Sequence, residues 1–144
     1  MVSLPDGSVQ WTAGSSTLTF RQLASGVVYI ASAGASDVFI PEIARALDDE
    51  IARNGRILVF ANLLEATRIA GEARDGWSEW SKRTKGHTKG LCLVRSKFVE
   101  MALSLIAMLS GSEVKTCSDV AFFENAMRNQ APGAKLPYIR KTAA

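Results

Sequence analysis

The fold is decided by the stretch Gly90-Leu-Cys-Leu-Val-Arg-Ser-Lys-Phe-Val-Glu-Met-Ala-Leu-Ser-Leu-Ile-Ala-Met-Leu-Ser-Gly111. Its first part, Leu91 to Val94, is a short unbroken apolar run, which is typical of a strand buried on both faces of a parallel sheet. Ser96 is suited to cap a following helix, and Gly111 is suited to end that helix in a left-handed conformation. The stretch therefore predicts a buried strand followed by a crossover helix, which is the repeating unit of α/β proteins.

Outward from this unit, strand patterns and helix patterns alternate along the chain in the order β-β-β-α-β-α-β-α-β-α. The predicted strands are 8–13, 17–23, 27–31, 57–61, 91–94 and 114–117. The predicted helices are 40–53, 71–85, 98–109 and a last helix capped by Ser118. This order predicts an α/β fold with a mixed sheet, in which the N-terminal strands are antiparallel and the strands from Ile57 onward are parallel, with crossover helices.

Length and composition indicate one soluble domain, with 144 residues of which 47% are apolar. We assign residues 1–131 to a single α/β domain and residues 132–144 to a basic tail that is extended or partly disordered. No apolar run reaches the roughly 20 residues of a membrane span, and the start lacks a signal-peptide pattern. Cys92 and Cys117 are offset on neighbouring predicted strands, so neither a disulfide nor a metal pair is expected. These features predict a cytoplasmic protein.

The net charge of +3 conceals an asymmetry between the two halves of the chain. Residues 1–79 carry 6 basic and 10 acidic side chains, whereas residues 80–144 carry 11 basic and 4 acidic ones. The excess is concentrated in a run without any acidic residue, which contains Lys82, Arg83, Lys85, Lys89, Arg95 and Lys97. Such a run is commonly a solvated surface. The alternative is a docking patch for an acidic protein face, a phosphate group or anionic lipid.

Candidate sites for chemistry are few. Arg95, Ser96 and Lys97 follow a buried strand, where sheets of this class bind ligands, and they flank a helix start that favours anions. Ser96 alone is explained equally by helix capping. The single histidine, His87, lies in a charged loop without a nucleophile pattern, a glycine-rich phosphate loop or a second metal ligand. The sequence therefore predicts a non-enzymatic protein without a metal or cofactor.

Binding to nucleic acid is disfavoured as well. It would need aromatic side chains to stack on bases beside the basic run. Trp77 and Trp80 are the aromatic residues next to that run, and their helical spacing is that of core residues.

Several segments together resemble the STAS superfamily (sulfate transporter and anti-sigma factor antagonist), especially its SpoIIAA-like branch of small bacterial domains. The resemblance covers roughly residues 8–130. It rests on Arg56-Ile-Leu-Val-Phe-Ala-Asn-Leu63, Trp77-Ser-Glu-Trp80, Gly90-Leu-Cys-Leu-Val-Arg95 and the segment 101–117. The resemblance implies a regulatory module that binds a protein partner. A carrier or sensor of a lipid-like or other apolar ligand is the alternative, because some proteins of this fold resemble lipid-carrier domains.

The resemblance also implies a place for a phosphosite. Anti-sigma antagonists carry a phosphorylated Ser or Thr at the helix start after the second buried strand. The corresponding segment here is Asn62-Leu-Leu-Glu-Ala-Thr-Arg-Ile-Ala-Gly71, which contains no serine. Thr67 is its one hydroxyl residue and stands earlier than the family position, so Thr67 is the candidate phosphosite.

The helix from Phe98 to Leu109 is apolar on nearly every side. Helical spacing assigns one stripe of it to the core, formed by Phe98, Met101, Ala102, Leu105 and Leu109. Another set lies off that stripe and needs separate cover, namely Val99, Leu103, Ile106 and Met108. Two covers are possible: a symmetric homodimer that pairs this helix with its copy, or the C-terminal tail through Leu136, Tyr138 and Ile139.

Overall fold

The computed structural model describes residues 2–13, 16–36, 41–69 and 71–139 of the chain. Within them, seven strands form one sheet and four helices pack on it. The strands are β1 (Val2–Ser3), β2 (Val9–Ala13), β3 (Ser16–Ala24), β4 (Val27–Ser36), β5 (Ile57–Ile69), β6 (Thr88–Val94) and β7 (Glu113–Cys117). The helices are α1 (Pro41–Asn54), α2 (Gly71–Arg83), α3 (Lys97–Ser110) and α4 (Val120–Gln130).

The strands lie in the sheet in sequence order, from β1 at one edge to β7 at the other. Strands β1 to β4 pair antiparallel, and β4 to β7 pair parallel. This arrangement confirms the predicted mixed sheet with its antiparallel N-terminal part. The parallel part begins one strand earlier than predicted, because α1 returns the chain from the end of β4 to the level where β4 began.

Alternating side chains of the central strands supply two cores, one on each face of the sheet. Helices α1, α2 and α3 pack on the first core, and α4 packs on the second. Consecutive crossovers of one hand that advance in one direction place their helices on the same face. The first core contains Leu18, Val28, Ile30, Ile43, Ala44, Leu47, Ile57, Val59, Ala61, Leu63, Ala66, Trp80, Cys92, Val94 and Val99, and the second contains Val27, Tyr29, Phe60, Leu64, Leu93, Phe123, Met127, Ala131 and Ile139.

Strand β5 continues to Ile69, well beyond the predicted end at residue 61. The polar side chain of Asn62 favours a strand end in sequence, but its hydrogen bonds are satisfied inside the sheet. Its Nδ2 donates to Oη of Tyr29 at 3.0 Å, and its Oδ1 accepts from the backbone N–H of Leu64 at 3.1 Å. A register shift between β4 and β5 follows this point. Residues 62–69 are therefore strand, and not the start of a helix.

One of the two N-terminal caps predicted for α3 and α4 agrees with the structure. Ser96 caps α3 as predicted, with its Oγ accepting from the N–H of Val99, and Gly111 ends α3 at φ 69°. Helix α4 is capped by Asp119 and not by the predicted Ser118, since Asp119 Oδ1 accepts from the N–H of Ala121 at 2.9 Å. A carboxylate at this place also suits the positive end of the helix dipole.

The segment after α4 packs on the second core. Ile139 is 2% exposed there, and Leu136 is partly buried beside it. Arg21 of β3 donates to the carbonyl oxygen of Lys135 at 2.6 Å. Composition predicts an extended or disordered tail, but these apolar contacts hold the chain against the domain as far as Ile139. The rest of the predicted tail, 140–144, lies outside the described residues.

Glu50 of α1 is a buried carboxylate, 1% exposed, that ties α1 to the β3–β4 hairpin. Gln22 Nε2 donates to its Oε1 at 2.9 Å, and the N–H of Gly26 donates to its Oε2 at 3.1 Å. Arg53 and Asn54 of the same helix donate to the two oxygens as well. The charge is thus fully hydrogen-bonded, which is the condition for burying a carboxylate without a large penalty.

Candidate functional site

Helix α3 buries a different side from the one that the sequence predicts. Val99 is 0% exposed, Ile106 is 3% exposed, and Leu103 packs partly buried against the first core. These three residues of the predicted self-association set are therefore covered within the chain itself. The large apolar side chains left at the surface form what we call the α3 stripe: Phe98 (76% exposed), Met101 (68%), Met108 (73%) and Leu109 (63%).

The polar residues of α3 explain this orientation. Lys97, Glu100 and Ser104 recur at helical spacing and mark the solvent side. Met101 and Met108 lie beside that polar row. The three polar positions were a usable sequence signal, but the larger number of apolar residues on the helix outweighed them in the prediction.

The α3 stripe is large for the surface of a small domain. Aromatic and methionine side chains each present on the order of 200 Å² when fully exposed, so the stripe amounts to several hundred Å² of apolar surface. Patches of this size on soluble proteins commonly mark interaction sites. Methionine adapts its shape to different surfaces, which suits a binding face. The described part of the C-terminal segment, residues 131–139, does not cover this stripe, because it packs on the opposite face of the sheet and leaves Tyr138 90% exposed.

The basic run of the sequence is divided between two ends of the sheet. Lys82, Arg83 and Lys85 lie at the end of α2 and in the turn after it, and Lys89 lies near the start of β6. Arg95, Ser96 and Lys97 follow the other end of β6. The seven residues of this strand separate the two groups by roughly 20 Å, at about 3.3 Å per residue. The run is therefore two small basic groups rather than one patch.

Helix α3 connects these two basic groups. Lys97 is the first residue of α3. The side chain of Lys85 lies at the C-terminal end of α3, beside Gly111. A cation at the C-terminus of a helix is stabilised by the helix dipole. The α3 stripe thus has a lysine at each end.

Three cations of the run, Lys97 among them, are paired with carboxylates at the surface. Arg83 contacts Asp48 at 3.2 Å, Lys89 contacts Glu113 at 3.7 Å, and Lys97 contacts Glu100 at 3.6 Å. Exposed pairs of this kind are weak, so a cation can exchange its carboxylate for one on a partner at little cost.

At the carboxyl ends of β5 and β6 the predicted residues do come together. Ser96 Oγ donates to the carbonyl oxygen of Thr67 at 3.3 Å while capping α3, and Arg95 donates to the carbonyl oxygen of Leu64 at 3.4 Å. The contacts of Ser96 are those of a helix cap that also joins α3 to β5. They leave the anion-binding role of Ser96 without support, while Arg95 and Lys97 are exposed.

The two cysteine thiols are poorly suited to nucleophilic catalysis. Burial raises the pKa of the Cys92 thiol to about 12, and the neighbouring Cys117 adds to the rise. Burial also raises the pKa of Cys117, with Asp119 adding to it. Both thiols are free and are protonated at neutral pH. His87 is exposed, and its Nδ1 lies 3.0 Å from the carbonyl oxygen of Gly55.

The described residues contain no group of three or more His, Cys, Asp or Glu side chains arranged to hold a metal ion. Among their helices, none combines the length and the apolarity needed to cross a bilayer.

The path of the chain is similar to that in the crystal structure of an anti-sigma factor antagonist from Mycobacterium paratuberculosis. The match has a TM-score of 0.50 and covers 88% of this chain and 99% of that chain, at 11% sequence identity. The chain has the fold of an anti-sigma factor antagonist. The similarity confirms the predicted mixed α/β fold. No protein-family model matches the chain, and no curated protein matches its sequence significantly.

In this example of the anti-sigma factor antagonist fold, the candidate phosphosite Thr67 lies within β5. It is exposed, but it does not lie in a helix-starting turn, because β5 continues to Ile69 and α2 begins only at Gly71. The helix start in contact with it is that of α3, through Ser96. Phosphorylation of Thr67 stays a prediction.

Proposed function

We propose that the protein is a non-enzymatic regulatory module that binds a protein partner through the α3 stripe. This proposal rests on one observation. Four large apolar side chains, each more than half exposed, lie on one side of α3. Leaving that surface in water is unfavourable by about 25 cal/mol per Å², so a partner that covers it gains free energy directly.

The charges around the stripe favour an acidic partner. Lys97 and Lys85 lie at its two ends, so a partner with apolar residues in the middle and carboxylates at both ends is complementary to it. A second copy of the chain fits less well. Antiparallel pairing of two α3 helices would place Lys97 of one copy beside Lys85 of the other, and like charges repel.

The structural similarity supports a class of partner for this proposal. The similar structure is named an anti-sigma factor antagonist, and that name implies that its partner is an anti-sigma factor. The partner that we propose for this chain is therefore an acidic surface of an anti-sigma factor. The proposal places the protein in the cytoplasm, as the sequence predicts.

The test is a binding screen against the anti-sigma factors encoded in the genome from which the chain comes. We expect one of them to bind in biolayer interferometry. The double variant Phe98→Ser, Met101→Gln should weaken that binding at least about tenfold, because central apolar anchors dominate interface energetics. Binding should also weaken from about 0.1 M to about 1 M salt, where the Debye length falls from about 10 Å to about 3 Å.

Phe122→Ser is the matched control. Phe122 is a phenylalanine of similar exposure, 57%, but it lies on α4, which packs on the opposite face of the sheet. Its loss should leave binding unchanged. A screen without any binder, or a binder that responds equally to the α3 and α4 variants, would contradict the proposal.

A further inference from the structure

An apolar cavity lies between the first face of the sheet and the helices α2 and α3. It has a volume of about 110 Å³. Trp77 of α2 and Leu103 and Ile106 of α3 line one side of it, and Val59 and Cys92 line the side of the sheet. A well-packed core rarely contains voids much larger than one water molecule, so a cavity of this size needs an explanation.

Small residues on the central strands create the space. Gly90 lies in the interior of β6, and Ala61 and Ala66 lie on the neighbouring β5. Glycine weakens a strand, and within a sheet it commonly marks a place where another group approaches the backbone closely. Steric crowding does not require a glycine at position 90. A Cβ there would contact only the carbonyl oxygen of Val59, at 3.8 Å.

Two hydroxyl groups in the lining lack partners. Ser32 Oγ and Thr88 Oγ1 are inaccessible to solvent, and neither has a hydrogen-bond partner among the described residues. A buried hydroxyl without a partner costs about 1–3 kcal/mol, so such groups are rare unless something else satisfies them. The cavity therefore combines an apolar wall with unused hydrogen-bonding capacity.

We propose that this cavity is a binding site for a small, neutral, mostly apolar molecule with one hydrogen-bonding group, of which phenol is the simplest example. Its volume approaches that of an engineered apolar cavity of about 150 Å³ that binds benzene. A long acyl chain does not fit, so the ligand is not a lipid. The ligand is neutral because the one charged lining residue, Glu113, is paired with Lys89 at the surface, and an ion inside an apolar wall is costly.

The experiment is a titration of the full chain with phenol, followed through methyl signals in NMR. The Ile106 and Leu103 methyl groups should shift saturably, because an aromatic ring in the cavity would lie against them. The methyl groups of Leu93, in the second core, serve as the internal control and should not move. The melting temperature should rise with phenol, since a ligand that binds only the folded state stabilises it. Benzoate, which is similar in size but anionic, should produce neither effect.

Two variants make the result specific. Gly90→Val fills the cavity from the sheet and should abolish the phenol shifts; if this variant does not fold, Gly90→Ala should reduce them. Thr88→Val removes one unpartnered hydroxyl and should weaken phenol binding severalfold more than benzene binding. Thr116→Val, an exposed threonine of β7, is the matched control and should change neither. Absence of saturable shifts in the unmodified protein, or phenol binding unaffected by filling at Gly90, would overturn the proposal.

Discussion

Some single residues stabilise this fold through contacts that the sequence pattern does not predict, and Glu50 is the main example. Glu50 has the spacing of the buried face of α1, three residues after Leu47 and seven after Ile43, and its carboxylate joins α1 to the β3–β4 hairpin. Charged residues are seldom fully buried, so the residue type favours the surface although the spacing favours the core. Its partners Gln22 and Gly26 are distant in sequence, and only the fold brings them to it.

We predict that Glu50→Ala lowers the free energy of unfolding by about 3 kcal/mol. The substitution removes the acceptor shared by the N–H of Gly26 and the side-chain amide of Gln22, and it empties a site that is 1% exposed. Chemical denaturation followed by circular dichroism measures the change. Asp49→Ala, one residue earlier and exposed, is the control and should cost less than about 0.5 kcal/mol. Equal effects of the two substitutions would show that the Glu50 network is not stabilising.

Cys92 should make the fold sensitive to alkaline pH. Its pKa rises from the ordinary 9.0 to about 12 in the folded state, because burial disfavours the thiolate. Above pH 9 the unfolded chain therefore loses a proton that the folded chain keeps, and stability falls as pH rises toward 12. Between about pH 8 and pH 10 the loss attributable to this thiol should be about 1.4 kcal/mol.

Comparison with Cys92→Ala isolates this effect. Burial also raises the pKa of Tyr29, which contributes equally to the alkaline decline of both proteins. The unfolding free energies of the two proteins should therefore converge as pH rises from 8 to 10. Parallel pH profiles would mean that the thiol is not buried as the structure has it.

At the scale of the elements, the orientation of α3 is the main point on which sequence and structure differ. The position, cap and end of this helix are all predicted by local chemistry, because Ser96 and Gly111 act on their immediate neighbours. Which side is buried is a tertiary property. With apolar residues on nearly every side, hydrophobic spacing alone has two solutions, and the sheet selects the one with Val99 and Ile106 inward.

This orientation predicts opposite outcomes for two substitutions on α3. Ile106→Ala should lower the free energy of unfolding by about 2–4 kcal/mol, because it truncates a side chain that is 3% exposed and faces the sheet. Met101→Gln, at a position that is 68% exposed, should change it by less than about 0.5 kcal/mol. Urea denaturation of both variants decides between the two orientations. A costly Met101→Gln with a neutral Ile106→Ala would restore the stripe predicted from the sequence.

For the whole molecule, strand order and the antiparallel start are predictable because short connections place consecutive strands side by side. The arrangement of charges is not. The basic residues from Lys82 to Lys97 lie close together in sequence, yet β6 carries the chain across the sheet and separates them into two groups. The cavity cannot be predicted from sequence either. Gly90 leaves space only because β6, α2 and α3 pack together around it. Both features depend on packing at long range.

The central claim is that the α3 stripe is the docking surface, and methionine methyl NMR tests it most directly. The described residues contain three methionines: Met101 and Met108 in the stripe, and Met127, 0% exposed in the second core. On titration with the anti-sigma factor identified in the binding screen, we predict that the Met101 and Met108 methyl signals shift or broaden. The Met127 methyl signal should not change. Complex formation that leaves the Met101 and Met108 signals unchanged would contradict the claim. Shifts of both signals on raising the concentration of this protein alone would also contradict it. They would indicate that a second copy of the chain covers the stripe.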